Sequence, residues 1–109
     1  MFNDGKLSIY KKVPKQSYGG QPITILEFYK RSFYGELSFG VEEYYNAKRE
    51  QVQIKKRVRI HQDKTLSNKH VVLIDNEQYE VGRTYSTKAK GIDITDITLE
   101  GVEANYDIA

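Results

Sequence analysis

Apolar and polar residues alternate through most of the chain, which predicts β-strands rather than helices. The clearest example is residues 52–61, whose apolar face carries Val52, Ile54, Val58 and Ile60 and whose other face carries Gln53, Lys55, Arg57, Arg59 and His61. Lys56 interrupts the apolar face. We expect it near a strand end, or with its ammonium group reaching water, because an unpaired buried ammonium is costly.

Two other stretches change the phase of their alternation, which predicts a β-bulge or sharp bend in each. Apolar residues between positions 23 and 39 change parity near residues 30–32, so this stretch should be strand, bend, strand. Apolar residues between positions 92 and 99 change parity at Thr95-Asp96. A first strand is predicted around residues 7–13, where apolar residues again occupy alternate positions.

Turn-forming residues separate these strands. Residues 14–22 include two prolines and two glycines and predict a mobile loop. Asp75 and Asn76 tolerate positive φ and lie between β-rich runs at 71–74 and 79–85, which predicts a hairpin.

Together these elements predict an all-β fold, a small six- to seven-stranded β-barrel. The 109 residues fit a single domain over residues 1–109. We expect a polar loop at residues 63–69, one long loop around residues 40–52 that could include a short helix, and a loose C-terminal tail from about residue 102.

The composition narrows the chemistry that the chain can perform. The absence of cysteine excludes disulfides, thiolate catalysis and cysteine zinc sites. No apolar run approaches the ~20 residues of a membrane helix, and residues 1–5 lack a secretory signal pattern, so we expect synthesis in a cytoplasm and no membrane partner. His61 and His70, with Asp63 between them, would need further ligands to hold a metal. We expect no catalysis, no metal and no cofactor.

Charge is unevenly distributed along the chain. Residues 1–70 carry 14 Lys/Arg and 7 Asp/Glu, whereas residues 71–109 carry 3 and 8. The sharpest basic feature, here named the basic stripe, comprises Lys55, Arg57 and Arg59 on one face of a predicted strand. It fits a solvated outer face, a subunit contact or a DNA-facing surface. As a subunit contact, it should lie near acidic residues of an adjacent copy, such as Asp93, Asp96 or Glu100.

One segment does not follow the strand pattern. It comprises Val41, Glu42, Glu43, Tyr44, Tyr45, Asn46, Ala47, Lys48, Arg49, Glu50 and Gln51. Acidic residues near its start and basic residues near its end suit the two ends of a short helix. The residue types alone favour a helix or loop that plugs one end of the barrel, with Tyr44 and Tyr45 in the core.

Part of this segment, Glu42-Glu43-Tyr44-Tyr45-Asn46-Ala47-Lys48-Arg49, resembles the EEYY-x-A stretch of head-closure proteins, or stoppers, of long-tailed bacteriophages (siphophages), the head–tail joining or adaptor family. The elements that follow agree in order: a strand, a polar loop, a hairpin and a last strand. The similarity covers most of residues 33–100. A glycine commonly follows the first hairpin strand in the family, whereas Asp75-Asn76-Glu77 contains none.

The resemblance implies a structural virion protein at the head–tail interface, assembled in the host cytoplasm. Family members form a ring of identical β-barrel subunits, a dodecamer in the best-understood relatives, below the portal and its adaptor ring. They close the DNA channel after packaging and provide the surface on which the tail, with its completion or terminator protein, docks. Genomic duplex DNA contacts them transiently. The resemblance implies that residues 40–52 form the gating loop. Both interpretations of this segment, a channel gate and a barrel plug, therefore stay possible.

Two other functions fit the residues. A small-barrel nucleic-acid-binding module would use the basic stripe. A tail-completion or tail-terminator protein would form another ring of the same conduit.

Overall fold

The computed structural model describes residues 2–16, 19–38 and 54–109, which form seven strands and no helix. The strands are β1 (Gly5–Gln16), β2 (Pro22–Leu37), β3 (Ile54–His61), β4 (His70–Ile74), β5 (Glu77–Ala89), β6 (Ile92–Gly101) and β7 (Asp107–Ile108). The predicted all-β class is confirmed. None of the described residues belongs to a helix able to cross a membrane.

Six of the strands pair in a closed ring. The order is β1-β4-β5-β6-β3-β2, and β2 pairs back with β1. All pairings within the ring are antiparallel, whereas the short β7 lies parallel to β2. The antiparallel register places the 75–76 turn at one end of the ring, here the first end, together with the end of β2 and the start of β3. The loop at residues 62–69 and the 90–91 turn lie at the opposite, second end.

Residues of all six ring strands, together with Leu66 of the 62–69 loop, pack into one apolar cluster. Its members are Leu7, Ile9, Tyr34, Val58, Ile60, Leu66, Val72, Ile74, Tyr79, Val81, Ile97 and Leu99. Of the predicted apolar faces, Leu7 and Ile9 of β1 and Val58 and Ile60 of β3 lie in the core, whereas Val13 and Ile54 are only partly buried. Because each fully buried Val, Leu or Ile side chain contributes roughly 1.5–3 kcal/mol, this cluster is the main source of stability.

The predicted break in β2 is present as a bulge. Ile9 pairs with Lys30 and Tyr10 pairs with Phe28, so Tyr29 is the extra residue. The bulge lies immediately before the predicted positions 30–32. It reverses the parity of the strand, which is why the apolar pattern changes phase there.

The predicted break at Thr95-Asp96 is wrong. β6 keeps its register there, and the shifts fall instead at Lys55 on β3 and Gly82 on β5. Residues 94–99 are all buried. Apolar side chains change parity in β6 because both faces of the strand are covered.

Both predicted turn residues of the first hairpin adopt positive φ, 50° at Asp75 and 65° at Asn76. The hairpin prediction is therefore confirmed without the family's glycine. A second hairpin joins β5 to β6 through Lys90 and Gly91, with φ of 51° and 79°. The β5 strand extends beyond the predicted residue 85 to Ala89.

The prediction of a mobile loop over residues 14–22 is partly wrong, because residues 14–16 and residue 22 belong to strands. β1 continues to Gln16, which pairs with Pro22 at the start of β2. Pro14 pairs with Thr24 within this two-stranded ribbon. Proline is tolerated here because ribbon edges include positions whose N–H makes no ladder hydrogen bond.

The C-terminal residues are anchored, which corrects the expectation of a loose tail from residue 102. β7 pairs with Ile25 and Leu26, and the Ala109 N–H donates to the Leu26 carbonyl at 2.8 Å. The Gln78 amide exchanges two hydrogen bonds with the Tyr106 backbone, at 2.9 and 2.8 Å. The tail is held by polar side chains far away in sequence, which local composition does not reveal.

Candidate interaction surfaces

The segment with the family-like motif lies outside the described residues. It falls within residues 39–53, between the end of β2 and the start of β3. These strands pair with each other, Gly35 with Arg59 and Leu37 with Arg57. The two flanks of the 39–53 connection therefore start side by side at the first end of the ring.

An open groove lies at the foot of this connection. Its lining comprises Glu36, Leu37, Ser38, Lys55 and Lys56. Lys56 Nζ contacts Glu36 Oε1 at 3.2 Å, and this hydrogen bond raises the pKa of Lys56. Lys56 lies near the start of β3 and is only half-buried, as its interruption of the apolar face predicts.

The basic stripe is not a uniform free cationic surface. Arg59 Nε lies 2.7 Å from Asp96 Oδ1, and its Nη2 lies 3.0 Å from Asp96 Oδ2. Arg57 Nη1 donates to the Ser38 carbonyl at 3.5 Å, and Lys55 is exposed at a bulge. Asp96 was one of the partners expected on an adjacent copy, but it pairs with Arg59 within the same chain. The pair neutralises the stripe's charge at Arg59.

A polar cluster forms at the second end of the ring, around the loop at residues 62–69. Lys30 Nζ lies 2.6 Å from Asp63 Oδ2, and the Thr65 N–H donates to Asp63 Oδ1 at 2.8 Å. Burial opposes ionisation of Asp63, but the hydrogen bonds from Lys30 and Thr65 outweigh it and lower its pKa. The hydroxyls of Thr65 and Tyr29 share a hydrogen bond of 2.6 Å.

His70 extends this cluster. Its Nδ1 accepts a hydrogen bond from the Ser67 N–H at 3.2 Å, and its ring stacks on Tyr29 with centroids 5.0 Å apart. Burial lowers the pKa of His70. Together, the contacts of this cluster hold the 62–69 loop against β2 and β4. Maintaining the fold therefore explains why these polar side chains lie together.

The histidines and carboxylates do not converge on a metal-binding geometry in the part of the chain that the structure describes. No group of three or more potential ligands is found there. The His61 ring contacts the Phe2 ring at a tilt, with centroids 4.1 Å apart, whereas the His70 ring contacts Tyr29.

A further surface was not predicted from the sequence. Residues of β1 and β2 place three aromatic rings and two cations on one outer face, here named the aromatic–basic face: Lys6, Tyr10, Phe28, Arg31 and Phe33. Phe28 is 57% exposed and Phe33 is 54% exposed. The sequence signal is ambiguous, because regularly spaced apolar residues in a strand indicate a buried face and do not reveal an exposed aromatic one. Only the β1–β2 register shows that these two rings lie opposite polar and basic partners.

Comparison with known proteins adds no assignment: neither a family model nor a curated protein matches the chain.

Proposed function

We propose that the chain is a ring-forming structural protein of the head–tail connector of a long-tailed bacteriophage. It closes the DNA channel after packaging and provides a docking surface for the tail. The observation that carries the proposal is the position of the 39–53 connection, which contains the EEYY-x-A motif. Both of its flanks leave one end of a closed ring of antiparallel strands.

The length of the connection is suited to gating. Its 15 residues, extended out and back at ~3.3 Å per residue, reach roughly 20 Å from their anchors. That reach is comparable with the radius of an oligomeric ring that passes duplex DNA. Converging copies of the loop would close the hole collectively through Tyr44, Tyr45 and paired charges of Glu42, Glu43, Lys48 and Arg49.

The anchors are suited to hold such a loop. Val58 and Ile60 of β3 are fully buried, and Tyr34 of β2 is buried beside them in the core cluster. The strands that flank the connection are thus fixed by their own packing. A loop on rigid anchors can exchange contacts with neighbouring loops for contacts with the channel wall, which is a two-state change.

The finer architecture belongs to the same proposal. The six-stranded ring is a small β-barrel, and identical copies assemble into a larger ring, a dodecamer by analogy with the family. One side meets the adaptor ring below the portal, and the other meets the tail-completion or tail-terminator protein. The chain acts without catalysis and resides in the virion, after assembly in the host cytoplasm.

Locating the chain in phage particles tests this proposal. Particles produced from the genome that encodes the chain should contain it in a single ring at the vertex that joins head and tail, seen by electron microscopy with a tag on the chain. Complete infectious particles that lack the chain would refute the proposal. A ring of the chain along the tail instead of at the head would favour the tail-terminator alternative.

A further inference from the structure

The aromatic–basic face is organised by the β1–β2 register. Lys6 pairs with Phe33, Ser8 with Arg31, and Tyr10 with Phe28. Directly opposite residues in an antiparallel pair project to the same side of the sheet. Leu7 and Ile9 alternate with these β1 residues and are buried in the core, so the three pairs project outward.

The bulge at Tyr29 is what keeps Phe28 on this face. Without the extra residue, Tyr29 would pair with Tyr10 and Phe28 would turn to the opposite side of the strand. With it, the Tyr29 hydroxyl reaches Thr65 while Phe28 stays outside, edge-on to Tyr10 with ring centroids 5.7 Å apart. The same register buries Leu26, two residues earlier on this side of β2, while it leaves Phe28 exposed to water.

The two cations of this face are available to a ligand. Lys6 Nζ lies over the Phe33 ring, 5.1 Å from its centroid. Arg31 is exposed and lies on β2 between Phe28 and Phe33. Within the described residues, neither Lys6 nor Arg31 has a carboxylate partner, whereas the nearby Lys12 and Lys30 are paired with Glu80 and Asp63.

We propose that the aromatic–basic face binds single-stranded nucleic acid. One base stacks on Phe28 and another on Phe33, where it replaces the Lys6 ammonium; Lys6 and Arg31 then contact the phosphates between the two bases. Aromatic side chains separated by cations complement a strand in which flat bases alternate with anionic phosphates. This proposal is independent of the connector function.

Other partners fit this face less well. Duplex DNA hides the faces of its bases in the stack, so it would leave Phe28 and Phe33 without their contacts. A second copy of this chain, docked face to face, would bury Arg31 against aromatic and basic side chains, because this face carries no carboxylate to pair with it. The charge and aromatic pattern therefore favour a single strand.

Fluorescence anisotropy with a labelled oligothymidylate tests the proposal. An oligonucleotide of about a dozen residues covers the lower range of small-barrel site sizes. We expect Phe28→Leu and Phe33→Leu each to weaken binding by about tenfold, because leucine keeps the apolar surface but removes the stacking ring. Arg31→Gln should weaken binding and lower the slope of log K against log salt by about 0.7, the value for one phosphate contact on a single strand.

Tyr85→Leu is the matched control. Tyr85 is 62% exposed on β5, away from the β1–β2 pair, so its replacement should leave binding unchanged. Arg31→Gln keeps the test valid if a phenylalanine variant fails to fold, because Arg31 is exposed and makes no core contact. The proposal is overturned by any of three results: no oligonucleotide binding at low salt, equal losses for Tyr85→Leu and the Phe28 and Phe33 variants, or wild-type affinity and salt slope in Arg31→Gln.

Discussion

Arg59 and Asp96 form a two-point ion pair across the β3–β6 ladder, with contacts of 2.7 and 3.0 Å. The two residues are direct cross-strand partners, and Asp96 is only 8% exposed. A carboxylate in that position is stabilised by the planar fork of the guanidinium. The pair thus satisfies within one chain a charge complementarity that sequence alone suggested between copies.

Breaking this pair should destabilise the fold. We expect Arg59→Ala to lower the free energy of unfolding by about 2 kcal/mol, because it leaves Asp96 largely buried without its cation. Arg59→Lys should cost about half as much, since it retains the charge but loses the fork. Urea denaturation measures both, with the exposed Lys55→Ala as control, expected within ~0.5 kcal/mol of wild type. Equal stability of all three variants would contradict this role.

His70 should make stability pH-dependent. Its pKa is lowered by burial from the ordinary value of 6.5, so the unfolded chain takes up this proton at a higher pH than the folded chain. The stability that neutral His70 contributes to the fold is therefore fully present above pH 6.5 and is lost as the pH falls below that value. The groups acting on His70 are the Ser67 N–H, Asp63, Lys11 and the Tyr29 ring.

Chemical denaturation between about pH 8 and pH 5 measures this contribution. We expect the wild type to lose stability over that range, because burial lowers the pKa of His70 in the folded chain. His70→Asn, whose amide oxygen can still accept from Ser67, should lose much less, whereas His61→Asn at an exposed position should follow the wild type. An unchanged pH slope in His70→Asn would exclude His70 as its source. Asp63, whose pKa is lowered, should add a separate loss at more acidic pH, below 3.8.

The C-terminal anchor depends on Gln78. Replacing Gln78 with Leu removes both hydrogen bonds to the Tyr106 backbone. We expect a loss of about 1–2 kcal/mol, because partly buried backbone groups of Tyr106 lose their partners. Amide hydrogen exchange should show Tyr106 and Ala109 exchanging faster, while β3 and β6 keep their protection. Asn105→Ala, at an exposed tail position, is the control, and slow exchange at Tyr106 in Gln78→Leu would disprove the anchor.

Lys90 occupies a conformation that its side chain disfavours. Its φ is 51° in the β5–β6 turn, a region that asparagine tolerates better than lysine. Lys90→Asn should therefore raise the free energy of unfolding by about 0.5 kcal/mol. Lys64→Asn, at an exposed loop residue outside the positive-φ set, should have no such effect. A thermal midpoint that does not rise in Lys90→Asn would contradict the strain at this turn.

The sequence predicts the strands well where one face is buried, as in β1 and β3. The bulge predicted in β6 is wrong, because a strand that is covered on both faces gives an apolar pattern like that of a bulge. The anchored tail also escapes prediction, since its contacts come from Gln78, Glu80 and Lys12, far from residues 106–109. The aromatic–basic face could not be predicted from the sequence either. Phe28 and Phe33 differ in parity, and only the bulge at Tyr29 brings them to one side.

The gate and plug interpretations of residues 40–52 predict different stabilities. Replacing Tyr44 to Arg49 with a short Gly/Ser link should leave the thermal midpoint nearly unchanged if the segment is a gate. The flanking strands pair through their own residues, and a shorter flexible loop costs no more entropy to close. If Tyr44 and Tyr45 plug the barrel, their loss should cost ~3–5 kcal/mol, as for buried aromatic residues. A Gly/Ser replacement of the exposed residues 103–105, between β6 and β7, controls for loop replacement in general.

DNA retention by phage particles carrying this loop replacement is the most direct test of the proposed function. Particles assembled with the shortened chain should fill with DNA and then lose it, measured as nuclease-sensitive genome against particles with the wild-type chain. A folded, incorporated variant whose particles leak DNA is the result that the connector function predicts. A folded, incorporated variant whose particles retain DNA as fully as wild type would contradict the gating role.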